Sequence, residues 1–191
     1  MKTATRLTLI TFLALVCCSS SYAADIATIY LVRHAEKVDD GSRDPALTEL
    51  GEQRAAAFAE LLRGQPVTHV FSTPYIRTRR SALPTAIEHG LDIEEYEPSD
   101  AANFASRLKT LTGTILVTGH SNTIPGLVNL LTGESFADLD DRVYDHVFIV
   151  SVDEEGSARL RVEYTQPRTP VPVEFRPMST SPETRAAPDR R

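Results

Sequence analysis

Residues 26–34 read IATIYLVRH, an apolar and β-branched run that stops at an arginine and a histidine. A continuous apolar run of this length is typical of a strand that is buried on both faces. Similar runs occur at residues 67–71 and 114–118, and a weaker one occurs at residues 91–96. Helical patterns separate these runs. The alternation predicts an α/β fold, a three-layer α/β/α arrangement around a mostly parallel central sheet.

The predicted helices cover residues 48–62, about 72–89, 100–111 and 123–131. Thr48 is the predicted N-cap of the first helix. The apolar residues of this helix are spaced to lie on one face, and they are Leu50, Ala57, Phe58, Leu61 and Leu62. Ser72, Thr73 and Pro74 predict the cap and first turn of the second. Residues 143–152 and 158–164 flank Asp-Glu-Glu-Gly, which predicts a C-terminal antiparallel hairpin.

The first 24 residues are interpreted as a signal peptide rather than as part of the fold. Basic residues precede the ten-residue apolar run LTLITFLALV at positions 7–16, which is about half of what a bilayer span needs. Small residues then predict cleavage near Ala23 or Ala24, and with it a periplasmic or secreted protein. Lipidation at Cys17 or Cys18 is the weaker alternative, and without it no membrane contact is expected.

Composition limits the functions that the remaining chain could have. Cys17 and Cys18 are the only cysteines of the chain, so a cleaved protein has no thiolate for catalysis or zinc binding. The formal net charge of −6 argues against nucleic acid as a partner. We expect one domain at residues 25–165. Residues 166–191 hold six of the twelve prolines and are predicted to form a loose tail.

Polar residues follow three of the predicted strands directly. Arg33 and His34 follow the first, Arg77 lies shortly after the second, and Gly119-His120-Ser121 follows the strand at 114–118. Parallel sheets bind ligands at the carboxyl ends of their strands, so we expect these side chains to lie close together.

This set of residue types suits phosphate chemistry. A guanidinium matches phosphate oxygens and stays charged, so Arg33 and Arg77 could hold a phosphoryl group. Helix N-termini after Ser72 and after His120 would add backbone N–H donors. A neutral imidazole can attack phosphorus, and a second, protonated one can stabilise the equatorial oxygens. No metal or other cofactor is required.

The motifs resemble those of the histidine phosphatases, the phosphoglycerate mutase-like superfamily. They are Arg33-His34, Ser72-x-x-x-x-Arg77-Thr78 and Gly119-His120, and Leu47-Thr48-x-x-Gly51-x-x-Arg54-Ala55 is similar to the family's first helix. The resemblance spans about residues 26–165. It implies a phosphomonoester hydrolase in which His34 becomes phosphorylated and water then releases phosphate. It also implies that Arg33, Arg77 and His120 bind the phosphoryl group, and we add Ser121 as a further candidate for that role.

The chain also departs from the mutases of this family. Ala35 stands where they have glycine, and their long insertions are missing, which favours hydrolysis of a small phosphorylated substrate in an open pocket. No clear counterpart of their general-acid glutamate is present. Asp44 is the preferred candidate, although it could equally cap its own turn. The other candidates are Glu36, Glu94, Glu95 and Glu97, and residues 94–97 are more typical of a solvated edge.

Two other classes of function remain open at this point. His34, His120 and either Glu36 or Asp44 could bind a metal ion in a metal-dependent hydrolase, although two arginines would then lie beside the cation. The same pocket could also belong to a catalytically inactive module that captures a phosphorylated ligand.

Overall fold

The computed structural model describes residues 25–169, which form a six-stranded sheet between two layers of helices. The strands are β1 (Asp25–Arg33), β2 (Val67–Ser72), β3 (Ile93–Glu95), β4 (Gly113–Gly119), β5 (His146–Asp153) and β6 (Ala158–Tyr164). The helices are α1 (Glu49–Leu62), α2 (Ile76–His89), α3 (Ala101–Leu108) and α4 (Thr123–Thr132). The predicted signal peptide, both cysteines and residues 170–191 lie outside the described residues.

The sheet has the strand order β3-β2-β4-β1-β5-β6. The first four strands of this order are parallel to one another, β5 runs antiparallel to β1, and β6 runs antiparallel to β5. This arrangement confirms the predicted fold class, a mostly parallel sheet with a C-terminal antiparallel hairpin. The four parallel carboxyl ends therefore lie at one edge.

Successive residues of β1 point to opposite faces of the sheet, and each face has its own core. Ile29 and Leu31 belong to the core that includes side chains of α3 and α4. Tyr30 and Val32 belong to the core that includes side chains of α1 and α2. Both faces of this strand are buried, which explains why it is apolar without alternation. Across residues 25–169, no helix combines the length and the apolar character that crossing a bilayer requires.

Helix α1 confirms its predicted cap and part of its predicted face. The Thr48 hydroxyl accepts a hydrogen bond from the backbone N–H of Gly51 at 3.0 Å. Leu50, however, is 41% exposed, and the buried face includes Arg54. Phe58 and Leu62 of the predicted face are buried in the core and Leu61 packs against it, so the prediction is wrong at Leu50 only. The buried Arg54 pairs with Glu36.

Helix α2 begins later than predicted. Its first residue is Ile76, and Tyr75 is an N-cap residue without a side-chain hydrogen bond. Ser72 still belongs to β2, and Thr73 directs its hydroxyl to the Thr78 hydroxyl rather than to the helix terminus. The cap is supplied from a distant loop instead, because the Asp44 carboxylate accepts the N–H of Ile76 at 3.0 Å.

Three other boundaries are shorter than predicted. Helix α3 ends at Leu108 rather than near 111, β3 has three residues, and β5 begins at His146 rather than at 143. Val143, predicted as the first residue of this strand, instead contacts the predicted pocket, since its carbonyl accepts a hydrogen bond from Arg33.

Gly51 provides a test of how α1 packs against the chain that follows β1. A Cβ at Gly51 would lie 2.2 Å from the carbonyl oxygen of Glu36, whereas a Cβ at Gly126 in α4 would meet nothing within 4 Å. We expect Gly51→Ala to lower the free energy of unfolding by about 1–3 kcal/mol through overpacking. Gly126→Ala should raise it by about 0.5–1 kcal/mol through helix propensity. Urea unfolding of both variants is the measurement, and stabilisation by Gly51→Ala would contradict this packing.

Candidate active site

The register of the parallel strands determines where the candidate residues meet. Arg33 pairs with Gly119 between β1 and β4, and Ser72 pairs with Thr118 between β2 and β4. The chain continues this pairing one residue beyond the sheet, because the N–H of His34 donates to the carbonyl of Gly119 at 2.8 Å. The imidazoles of His34 and His120 consequently lie edge to face with ring centroids 5.5 Å apart.

The His34 imidazole is buried, oriented and neutral. Its Nδ1 lies 2.8 Å from the carbonyl oxygen of Ala35, which can only accept, so Nδ1 carries the proton. Burial is the main cause that lowers the pKa of His34 to about 3, and the nearby Arg33 cation lowers it further. At neutral pH the ring therefore presents the lone pair of Nε2, which is the nucleophilic form of imidazole.

The His120 imidazole is held at both nitrogens. Nη2 of Arg77 lies 3.4 Å from its Nδ1, and because a guanidinium only donates, Nδ1 is the acceptor. Its Nε2 then donates to the Thr73 hydroxyl at 3.0 Å. Burial is the main cause that lowers the pKa of His120 to about 4, followed by the charges of Arg77 and Arg33. This ring is also neutral at neutral pH.

The Arg33 guanidinium is fixed by backbone oxygens. Its Nη1 donates to the carbonyls of Asp140 at 3.0 Å and Val143 at 2.9 Å, and its Cζ lies 4.2 Å from the centre of the Tyr144 ring. Among residues 25–169, the one partner of Nη2 is the Asp141 carboxylate, at 3.5 Å, and that side chain is 92% exposed. Burial lowers the pKa of Arg33 from its ordinary value, yet the group stays charged at neutral pH. A buried cation held mainly by neutral partners suits an anionic ligand.

Arg77 lies on the opposite side of the two imidazoles, at the start of α2. Its Nη1 donates to the Asp44 carboxylate at 3.2 Å, and its Cζ lies 4.5 Å from the centre of the Tyr75 ring. The buried Nε atoms of Arg77 and Arg33 have no hydrogen-bond acceptor among the described residues. These two donors add to the capacity of the site for an anion.

Two backbone donors at the helix starts beside the pocket are already in use. The N–H of Ile76, at the start of α2, donates to the Asp44 carboxylate at 3.0 Å. The N–H of His120, before α4, donates to the Thr123 hydroxyl at 2.8 Å. The expectation of free N–H groups in the helix predicted after Ser72 is therefore wrong at Ile76, and the donors expected after His120 stay a prediction. The side chains of Asp44 and Thr123 accept the hydrogen bonds of the Ile76 and His120 N–H groups, and local sequence patterns did not indicate either contact.

The five candidate general acids differ in the partners that their carboxylates bind. Both Glu36 oxygens bind the buried Arg54 guanidinium, at distances of 2.6 to 3.0 Å. Glu94 and Glu95 form surface ion pairs with Arg107 and Arg79, and Glu97 is exposed. Asp44 is the one of the five that hydrogen-bonds a predicted pocket residue, Arg77, within the described part of the chain.

Ser121 lies at the rim of the predicted pocket. Its hydroxyl is 3.5 Å from the Asp141 carboxylate, which also receives Arg33. An open cavity of about 650 Å³ adjoins it, lined by Ser121, Asn122, Asp138, Leu139, Asp140 and Asp141. A role for Ser121 in binding phosphate stays a prediction.

Sequence reasoning missed the aromatic residues of the site. The rings of Tyr75, His120, His34 and Tyr144 form a row with successive centroid distances of 5.0, 5.5 and 6.0 Å. Each tyrosine also packs on one of the two guanidiniums. The position of Tyr75, just before α2, offered a weak signal. Nothing near Tyr144 in the sequence indicates that it reaches the site.

The predicted alternative metal ligands do not gather into one cluster. Among residues 25–169, no group of three or more His, Cys, Asp or Glu side chains is placed to hold a metal ion. Glu36 is turned towards Arg54, and Asp44 is turned towards Arg77. The described residues instead bring two imidazoles and two guanidiniums together.

Fold and site together define an α/β protein with a histidine–arginine pocket at the carboxyl edge of its sheet. The family model for the histidine phosphatase superfamily (branch 1) matches residues 29–98. A Salmonella paratyphi A relative named "Probable phosphoglycerate mutase GpmB" is 33% identical over 158 aligned residues, which cover 71% of this chain and 68% of the relative. The chain belongs to the histidine phosphatase superfamily.

Solved structures show the same fold. The protein histidine phosphatase SixA complexed with tungstate matches with a TM-score of 0.62 at 20% identity, covering 72% of this chain and 96% of SixA. The mycobacterial glucosyl-3-phosphoglycerate phosphatase matches with a TM-score of 0.52 at 16% identity, covering 72% of this chain and 97% of that structure. These likenesses concern the fold.

The lowered pKa values of the two imidazoles predict how stability depends on pH. Folded His34 and His120 have pKa values of about 3 and about 4, whereas unfolded histidine has a pKa of 6.5. The unfolded state therefore binds more protons as the pH falls below 6.5, and stability decreases. From pH 7.5 to pH 5, each ring should account for a loss of about 2 kcal/mol.

Urea unfolding at pH 7.5 and pH 5 measures this effect. His34→Gln and His120→Gln cannot take up the proton, so each variant should lose less stability over this range than the wild type. An equally large loss in both variants would show that these rings are not held neutral by the fold.

Proposed function

We propose that this protein is a phosphomonoester hydrolase that acts through a phosphohistidine intermediate on His34. The observation that supports the proposal best is the neutral, buried imidazole of His34, whose protonated Nδ1 leaves Nε2 as the nucleophile beside two guanidiniums. A small phosphorylated molecule is the substrate, and no metal ion or other cofactor takes part.

The first chemical step transfers the phosphoryl group to His34. Nε2 forms the bond to phosphorus, the bond from phosphorus to the ester oxygen breaks, and a proton goes to the leaving oxygen. Arg33 and Arg77 balance the charge of the equatorial oxygens. The arriving anion raises the pKa of His120, so that this ring can take up a proton and donate to the same oxygens.

The second step releases phosphate by hydrolysis. Water attacks phosphorus, the bond to Nε2 breaks, and His34 returns to its neutral form. Asp44 is the proposed proton donor for the first step, with a proton taken up from solvent once the substrate displaces it from Arg77. It is the proposed proton acceptor for the second step, because it is the candidate carboxyl beside Arg77. In the free protein it serves another purpose, as an acceptor for Arg77 and for the N–H of Ile76.

The comparisons support a phosphatase or mutase of this general chemistry. SixA is a protein histidine phosphatase, and the mycobacterial neighbour is a glucosyl-3-phosphoglycerate phosphatase. The relatives that are about one third identical are named "Probable phosphoglycerate mutase GpmB". These proteins differ in their leaving groups, so their names do not define the leaving group here. The metal-dependent alternative has less support, because Glu36 and Asp44 both face arginines.

Arg77 and His34 are the positions that test this mechanism. With p-nitrophenyl phosphate as substrate, His34→Ala should abolish turnover, because the nucleophile is lost. Arg77→Ala should lower kcat/KM at least tenfold, since a charged phosphate contact is worth more than ~1.4 kcal/mol. Arg80→Ala is the matched control on the same helix, because Arg80 pairs with Glu52 at the surface, and it should stay close to wild type.

Rapid-quench labelling distinguishes the alternatives. A phosphorylated substrate labelled at phosphorus should give the wild type an acid-labile, base-stable label that His34→Ala lacks. Full activity of His34→Ala would reject the mechanism. Binding of inorganic phosphate without turnover would favour the inactive module, and activity lost to EDTA and restored by added metal would favour the metal-dependent hydrolase.

Asp44→Asn tests the proposed proton donor. The amide oxygen can still accept from the N–H of Ile76, so α2 keeps its cap, but the amide cannot donate an acidic proton. We expect kcat/KM for a phosphate ester of an alkyl alcohol, such as glycerol phosphate, to fall by about 10²-fold or more. Turnover of p-nitrophenyl phosphate, whose leaving group needs little protonation, should fall much less. An equal loss for both substrates would assign Asp44 to the placement of Arg77 instead.

A further inference from the structure

The buried Arg54 connects the chain after β1 with the chain after β6. Its side chain is only 1% exposed, and it binds both oxygens of Glu36. Its Nη1 donates to the Thr165 hydroxyl at 2.8 Å, and its Nη2 donates to the carbonyl of Pro167 at 3.0 Å. The beginning of the predicted loose tail is therefore fastened to the interior, at least up to residue 169.

Asp145 provides a second anchor for the same segment. Its carboxylate is 2% exposed and accepts the side chain of Arg168 at 2.8 Å and the N–H of Thr169 at 3.0 Å. Its carbonyl accepts the N–H of Thr165 at 2.9 Å. In return, the Thr169 hydroxyl accepts the N–H of Tyr144 at 3.2 Å. Residues 165–169 are thus tied to the loop that precedes β5.

Each of the two anchors, Arg54 and Asp145, holds a loop that lies beside His34. Glu36 is two residues beyond His34, and its carbonyl accepts the N–H of Thr48, which closes the loop. The Tyr144 ring lies with its centroid 6.0 Å from that of His34. The imidazole itself is oriented by the carbonyl of Ala35, which lies between His34 and Glu36. A shift of either anchored loop would therefore move the ring or one of its walls.

We propose that residues 165–169 form a positioning strap for His34, with Arg54 and Asp145 as the positioning residues through which it acts. This inference rests on the proposed role of His34 as the nucleophile. The strap contacts neither phosphate nor the leaving group. It fixes the loops after β1 and before β5 relative to each other, and so fixes the position and tautomer of the imidazole.

Energetics favour a positioning role over a purely stabilising one. A buried ion pair often contributes little net stability, because desolvation offsets the attraction. Arg54 nevertheless directs its donors to oxygens of Glu36, Thr165 and Pro167, which fixes their relative geometry. A displacement of about 1 Å at a reacting group can cost about 10²-fold in rate. A small shift of the strap would therefore affect catalysis more than folding.

Thr165→Val tests the strap at one atom in the full-length protein. It preserves shape but removes the hydroxyl that accepts from Arg54. With p-nitrophenyl phosphate we expect kcat to fall about tenfold or more. The dissociation constant of inorganic phosphate should change less than about threefold, because Arg77 packs on Tyr75 at the start of α2, which the strap does not tie. Thr165→Ser restores the hydroxyl and should restore kcat.

Arg168→Met tests the second anchor at a half-exposed side chain, and the buried Asp145 carboxylate keeps the N–H of Thr169 as a donor. We expect the same split between kcat and phosphate binding. Arg161→Met is the matched control, since Arg161 is similarly exposed but pairs with the solvent-accessible Glu163 on β6, and it should leave both quantities unchanged. A lower Tm with unchanged kcat in Thr165→Val and Arg168→Met would overturn the proposal.

A readout independent of turnover separates this proposal from the proposed function. Long-range ¹⁵N NMR of the wild type should show His34 as a single Nδ1-protonated tautomer, and Thr165→Val should show a mixture. If the wild type shows no phosphatase activity but this change occurs, the proposed function fails while the strap stands. An unchanged tautomer together with unchanged kcat would reject the strap alone.

Discussion

The parallel register of β2, β4 and β1 is the constraint on which the site depends. It aligns Arg33 with Gly119 and Ser72 with Thr118, so the residues that follow each strand leave the sheet together. Side chains alternate between faces along a strand, and a slip of one residue would turn one imidazole away from the other. The two apolar cores specify this register, because each buries one face of the same strands. Packing remote from the pocket thus creates the pocket.

The buried positive charges of the pocket are not fully neutralised, and a bound anion would stabilise them. Two guanidiniums and two imidazoles share a largely buried space, and their mutual repulsion and burial keep both rings neutral. Carbonyl oxygens and aromatic faces hold Arg33, and a carboxylate holds Arg77. These partners fix the cations without cancelling both charges. A bound phosphoryl group would find its donors already oriented, which is how electrostatic preorganisation lowers a barrier.

The sequence predicted what depends on local signals. Apolar runs located the strands, Thr48 located the start of α1, and the strand-end rule predicted that His34 and His120 lie close together. It did not predict the burial of Arg54, the capping of α2 by Asp44 or the aromatic wall formed by Tyr144. Each of these is a contact between segments far apart in the chain, and the residue involved looks like an ordinary surface residue in its own segment. Local periodicity carries no information on such partners.

The two halves of the site are built with different rigidity, and this difference bears on the chemistry. The half around His34 is fixed by buried groups, because Arg54 and Asp145 are almost inaccessible to solvent. The half around Arg77 is held by Asp44, whose side chain is 32% exposed and can exchange partners with solvent. An anion bound by Arg77 competes directly with Asp44 for the same guanidinium. An anion bound there would therefore release the carboxyl group of Asp44, the proposed proton donor, while the more deeply buried contacts keep the His34 imidazole in place.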